Sequence, residues 1–189
     1  MKKLNANNFY TGLKIIINKI PFYIIENEFI KPGKGQSFNR VKLRNLISHK
    51  VIEKTFRPSE FFETANVMDL EMQYIYKSKD TYFFINNENY EQYEINEKII
   101  GANKTWLKES NNYIITLWNN RAISLNPPNF IILKVVETSS DLKNDSLSGN
   151  KSAELETGAV IKVPFFIKNG ELIKVNTKLS QYVARIKRL

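Results

Sequence analysis

Glu28-Phe29-Ile30-Lys31-Pro32-Gly33-Lys34-Gly35-Gln36-Ser37-Phe38-Asn39-Arg40-Val41-Lys42-Leu43-Arg44 is the stretch on which the fold turns. Ahead of its centre, Phe22-Tyr23-Ile24-Ile25 and Glu28-Phe29-Ile30 read as strand. Behind it, from Phe38 to Leu46, Arg40, Lys42 and Arg44 alternate with Val41, Leu43 and Asn45. A period of two is the signature of a half-buried strand, with the cations on one face and the apolar residues on the other. Between the strands, Lys31-Pro32-Gly33-Lys34-Gly35-Gln36 supplies the turn of a hairpin and sets a lysine between two glycines. Glycine admits positive φ and carries no side-chain bulk, so the backbone can turn tightly or enter a narrow space. Pro32 stiffens the approach and lowers the entropy lost on docking. Lys34 becomes a projecting cationic tip, and an ordinary turn with a solvated lysine fits the same six residues.

Working outward, the remaining signals are also mostly β. Leu46-Ile47 and Val51-Ile52 flank His49-Lys50 as a second hairpin. Gln73-Tyr74-Ile75-Tyr76 and Thr81 to Ile85 flank a turn at Lys77-Ser78-Lys79-Asp80, and Ile114 to Trp118 and Ala122 to Leu125 flank Asn119-Asn120. Ile95 to Leu107 is the one helix candidate, weakened in its middle by Gly101. Phe130 to Val136 reads as strand, Ser139 to Ser152 as an exposed polar loop, and Ala159 to Ile167, Leu172 to Val175 and Tyr182 to Ile186 as strands. A tight Asn169-Gly170 turn lies between the first two of these last three. Short strands joined by turns predict an all-β chain of small barrels.

Two boundaries divide the chain. One falls near Glu63-Thr64-Ala65; the other is Asn126-Pro127-Pro128-Asn129, which cannot continue a central strand. The expected domains are therefore 1–64, 65–126 and 127–189. The formal net charge is +9, carried as 12 basic against 5 acidic residues in the first (+7), 6 against 8 in the second (−2) and 10 against 6 in the third (+4). Heavy use of Lys, Asn and Ile points to coding bias behind part of the charge, but bias alone would spread it more evenly. The first third is the part expected to face a polyanion. Lys31, Arg40, Lys42 and Arg44 form a cationic row suited to tracking phosphates, although alternating charge is also what a half-exposed strand shows.

Catalytic chemistry is hard to assemble. There is no cysteine, which removes disulfides, thiolate metal sites and thiol nucleophiles. The one histidine, His49, sits in a polar turn, and zinc would need mainly carboxylates. No Gly-x-Ser-x-Gly elbow and no Walker run occurs. Glu26 with Glu28, and Asp69 with Glu71, lie at strand spacing as solvated rim charges. Met1 to Asn8 lacks the apolar stretch of a signal peptide, and no apolar run approaches the roughly 20 residues that span a bilayer. The expectation is a cytoplasmic protein that is not an enzyme and carries no metal.

The quoted run closely resembles the loop signature of bacterial translation elongation factor P. The likeness continues through Val51-Ile52-Glu53-Lys54-Thr55-Phe56, Asn86-Asn87-Glu88, Ile115-Thr116-Leu117-Trp118-Asn119 and Pro127-Pro128-Asn129-Phe130. It extends to Thr157-Gly158-Ala159-Val160-Ile161-Lys162-Val163-Pro164 and Tyr182-Val183-Ala184-Arg185-Ile186, in order and across essentially the whole chain. The resemblance implies an N-terminal KOW/SH3-like barrel followed by two OB-fold barrels, in an L that resembles tRNA. It implies a monomer that binds the 70S ribosome between the peptidyl-tRNA and exit sites, touches ribosomal RNA and relieves stalling at consecutive prolines. Lys34 matches the position that a lysyl-tRNA-synthetase-like ligase extends with a β-lysyl group, on the loop formed by Pro32, Gly33, Gly35 and Gln36; whether a hydroxyl is added as well stays open. Tyr182 and Arg185 match a pair that the family uses toward RNA or the ribosome. Asn144-Asp145-Ser146 lies where the family has a Gly-Asp-Thr motif facing the exit-site codon, so the glycine is lost and that contact is in doubt. Two other readings remain beside this one: a general RNA-binding β-barrel module without a peptidyl-transfer role, and the paralogous elongation-factor-P-like protein, against which the intact Pro-Gly-Lys-Gly-Gln loop argues.

Overall fold

The computed structural model describes residues 3–138 and 149–186. The polypeptide divides into two compact units, Met1–Leu70 with Ile115–Ser124, and Glu71–Ile114 with Leu125–Leu189. Three antiparallel sheets make up nearly all of the regular structure.

The first sheet holds β1 (Lys3–Asn5), β2 (Lys14–Ile17), β3 (Ile20–Ile30), β4 (Phe38–Asn45), β5 (Val51–Phe56) and β6 (Phe61–Thr64), in the order β1-β6-β2-β3-β4-β5. The alternation read in the sequence is realised here: Val41 and Leu43 are fully buried, while Arg40 and Arg44 are exposed. They pack with Ile15, Ile17, Phe22 and Ile24, and a cluster of Phe9, Phe56 and Phe62, with ring centroids 4.8 to 6.0 Å apart, joins the same core. The β4–β5 turn carries His49 at φ 58°, and Asn45 Oδ1 accepts from the backbone N–H groups of Ile47 and Ser48. His49 is solvent-exposed, as its polar setting predicts.

The second sheet holds β7 (Val67–Ser78), β8 (Thr81–Asn86), β9 (Gln92–Asn96), β10 (Asn112–Trp118) and β11 (Arg121–Asn126), in the order β11-β10-β7-β8-β9. The β10–β11 turn places Asn119 and Asn120 both at positive φ, as a two-residue hairpin requires. The helix expected over Ile95 to Leu107 is much shorter. Ile95 belongs to β9, α1 covers only Glu97–Ile100, and a 3₁₀ segment follows over Gly101–Trp106. Gly101, at φ 58°, is where the α-helix stops, because that backbone geometry cannot propagate it. Asn96 caps α1 by accepting from the Lys98 N–H.

Glu97 bonds Lys77 Nζ at 2.8 Å and Lys104 Nζ at 2.9 Å. These two ammonium groups, Lys77 first, hold the Glu97 carboxyl at about 2, below its ordinary 4.5. A depressed folded-state value means that the link stabilises above the ordinary carboxylate range and is lost as pH falls toward about 2. A carbon-detected NMR titration is expected to show Glu97 titrating well below the other glutamates, and Lys77→Ala is expected to raise its midpoint.

The third sheet holds β12 (Phe130–Thr138), β13 (Asn150–Leu155), β14 (Val160–Pro164), β15 (Leu172–Asn176) and β16 (Gln181–Ile186), in the order β14-β13-β12-β15-β16. Its edge strands β14 and β16 lie against each other, so the sheet curls toward closure around Leu133, Val135, Val163, Ile173 and Val175. Two expectations need correction. Asn150 to Ser152 are not loop but the start of β13; their polar character misled because β13 alternates into the core only from Ala153 onward. The Asn169-Gly170 turn does not join a hairpin, since β14 pairs with β13 and β15 with β12 and β16. Gly170 instead adopts φ 84° and donates its N–H to Val135 O, tying the connection back to β12. Among the described residues, no helix is long and apolar enough to cross a membrane.

Candidate functional site

The β3–β4 hairpin is paired from Phe22–Asn45 out to Ile30–Phe38, with a bulge between Ile24 and Glu26. Beyond that last rung, residues 31–37 form the tip. Gly35 sits at φ 109°, which an L side chain rarely adopts, so the turn needs glycine there. Gly33 differs: its φ is not left-handed, and a Cβ built on it meets nothing within 4 Å. The fold itself does not require glycine at 33, and a narrow approach to something outside the chain would. Lys34 is exposed, and among the described residues it has neither a hydrogen-bond partner nor an ion-pair partner. Lys31 and Arg44 are likewise exposed and unpaired among the described residues.

Register gives the cationic row a feature that its spacing does not display. Glu28 stands opposite Arg40 and Glu26 opposite Lys42, while Glu53 of β5 flanks the same two cations. Arg40 lies 3.7 Å from Glu28 and 3.8 Å from Glu53, and Lys42 Nζ lies 3.5 Å from Glu26. Two of the four row cations are therefore compensated in the free protein, by Glu26 and Glu28, expected only as solvated rim charges, and by Glu53. These side chains are 43 to 69% exposed, and ion pairs of this kind contribute about 0–1 kcal/mol. Phosphates can displace them at little cost.

Tyr182 and Arg185 lie on β16, three residues apart, which on a regular strand would put them on opposite faces. The register shifts between Lys174 and Val175, so Tyr182 stands opposite Val175 and Arg185 opposite Ile173. Both partners are buried; Tyr182 is half-buried against the core, whereas Arg185 is exposed. Arg185 bonds Glu171 at 3.2 Å and sits 5.7 Å from the Phe166 ring centroid. The Lys168 backbone N–H, and then the Arg185 guanidinium, hold the Glu171 carboxyl below the usual carboxylate range. Asn144-Asp145-Ser146 lies outside the described residues.

An open cavity of about 720 Å³ is lined by Asp80, Asn96, Glu97, Lys98, Gly101, Ala102 and Lys104, and by no residue of the β3–β4 arm or of β16. Among the described residues, no group of three or more His, Asp or Glu side chains is placed to hold a metal ion. What sequence reading missed is a pair of amides at the root of the arm, Asn27 and Asn39, which bond one another at 3.1 Å. Both are asparagines on the inward-facing phase of their strands, a polar signal inside an apolar pattern.

The fold has known counterparts. The eukaryotic translation initiation factor 5A from Methanococcus jannaschii superposes with a TM-score of 0.51 at 18% identity, covering 67% of this chain and 94% of that one. A translation initiation factor eif-5a family protein from Naegleria fowleri does so with a TM-score of 0.51 at 17% identity, over 66% of this chain and 97% of that one. These likenesses show the fold alone, a frame of small β-domains, here with a lysine-tipped β-hairpin. Models of three domains then match in order: the elongation factor P KOW-like domain at residues 5–62, its OB domain at 67–125 and its C-terminal domain at 131–185. The chain belongs to the elongation factor P family.

Proposed function

We propose that the protein binds the 70S ribosome between the peptidyl-tRNA and exit sites and promotes peptide-bond formation at consecutive prolines. The observation that carries this reading is Lys34, exposed and unpartnered at the end of a paired arm whose turn depends on Gly35. Proline is a rigid and poor peptidyl donor and acceptor, so the reacting groups spend little time in attack geometry. A tip that steadies the end of the peptidyl-tRNA supplies orientation, an effect that can reach several kcal/mol. The factor itself need transfer no proton.

A lysine side chain extends roughly 6 Å by ordinary bond lengths. A β-lysyl group added by a lysyl-tRNA-synthetase-like ligase would about double that reach and carry the charge outward. Lys34 suits such an enzyme, because its ammonium is accessible and no existing bond must be broken. Lys31 and Arg44 are the cations free for ribosomal RNA, and Arg40 and Lys42 join them by exchanging carboxylates for phosphates. Tyr182 and Arg185, both on β16, are assigned a second contact with RNA or the ribosome. A general RNA-binding module would use the same cations and would have no need of an exposed, unpartnered Lys34 beyond them.

The experiment is reconstituted translation of a message encoding several consecutive prolines. Saturating factor, purified with its native modification, is expected to relieve the stall; an unchanged stall would overturn the reading.

A further inference from the structure

We infer that the buried Asn27–Asn39 amide pair is a positioning device that sets the direction of the Lys34 arm, an inference that rests on the tip function proposed above. Asn39 is only 1% exposed, beside Val41 on the core side of β4. Its Nδ2 donates to Asn27 Oδ1 at 3.1 Å, and Asn27 Nδ2 donates to the Phe9 carbonyl at 2.9 Å. Phe9 closes the 3₁₀ turn Ala6–Asn8 and belongs to the aromatic cluster with Phe56 and Phe62. One chain of hydrogen bonds therefore ties a fixed point on the barrel to both strands of the arm.

The pair sits where the core ends. Asn39 stands opposite Phe29 on one side and Phe56 on the other; Phe56 is buried, whereas Phe29 is 51% exposed. Past this level only the Ile30–Phe38 rung remains before the tip. Apolar packing at the rim would let the hairpin rock, because hydrophobic contact has no direction. Amide hydrogen bonds weaken steeply when bent, so the pair allows few orientations.

Stability alone does not account for asparagine at 39. Its Oδ1 is buried with no hydrogen-bond partner, which is costly, and leucine has the same number of side-chain heavy atoms without that cost. A polar pair kept where an apolar residue would serve the core is the pattern expected when geometry matters more than stability.

The test compares wild type with Asn39→Leu and Asn27→Ala, each carrying the native Lys34 modification. Three readouts are taken: melting temperature, amide exchange across residues 29–39, and proline-stall relief over a range of factor concentrations. Asn39→Leu is expected to melt at or near the wild-type temperature. Arm exchange should rise by about tenfold or more, reporting local opening. The maximal rate of relief should fall by about tenfold with half-saturation changed less than twofold, since orientation acts on the reacting state rather than on docking. Native exchange and native maximal rate in a stably folded Asn39→Leu would overturn the inference. If that variant does not fold, Asn27→Ala decides by the same criteria, because it removes both bonds from a partly buried position. If wild-type protein itself fails to relieve the stall, the tip function is at fault, and arm exchange still decides whether the amides hold the arm.

Discussion

Lys34→Ala is expected to fold like the parent and to lose relief of stalling at consecutive prolines. The side chain is exposed and has no bonding partner among the described residues, so its removal touches no packing. Substitutions at such positions usually shift stability by no more than about 0.5 kcal/mol. The functional loss should be much larger. If the tip contributes orientation, losing it is worth on the order of 100-fold in the rate of the stalled step, the scale on which misplaced reacting groups are penalised. Ribosome binding should persist, because Lys31, Arg44, Tyr182 and Arg185 are untouched. Circular dichroism, ribosome pelleting and single-turnover synthesis across a proline run check the three parts separately. A variant that relieves stalling as well as wild type would remove Lys34 from the mechanism.

Leu43→Ala is expected to have the opposite profile, with stability lost first and function following. Leu43 is fully buried on β4, next to Val41 and among Ile15, Ile24 and Phe22. Truncation removes transfer free energy and leaves a cavity, together about 2–5 kcal/mol. Whole-domain stabilities are only about 5–15 kcal/mol, so this substitution takes a large share from the unit that carries the arm. Amide exchange in β3 and β4 should accelerate across the strands, not merely at the tip. Because the chain has two compact units, exchange resolved by residue locates the loss, which a melting midpoint alone does not. Protection in β3 and β4 equal to wild type would show that this core does not hold the arm.

Much of the fold could be read from residues 22–45, where a period of two surrounds a glycine-flanked turn, and from paired asparagines such as Asn119-Asn120. Strands that run apolar on one face declare themselves because burial and period coincide. Reading failed where a local signal was answered by distant structure. Asn169-Gly170 has hairpin chemistry, yet its turn is fastened to β12 and its flanking strands pair elsewhere. Ile95 to Leu107 has apolar residues at helical spacing, but Gly101 takes a conformation that divides it.

The site was legible at its tip and not at its root. Gly33, Lys34 and Gly35 stand out because glycine and lysine alternate in a turn. The neutralisation of Arg40 and Lys42 depends on cross-strand register, which a bulge near Ile25 shifts by one residue. The partners of Tyr182 and Arg185 across the sheet are likewise set by the register shift in β15–β16 pairing. Bulges leave no reliable mark on a single sequence, so both findings had to come from coordinates. The amide pair is a further case, as two asparagines twelve residues apart gain meaning only when the hairpin closes.

The central claim is that Lys34 is the chemically lengthened working end of the protein. The most direct test is the mass of the loop peptide containing Lys34, taken from protein purified from its native host. The account predicts a peptide heavier by one lysyl group, with the added mass on Lys34 itself. An unmodified Lys34 in active protein would contradict it.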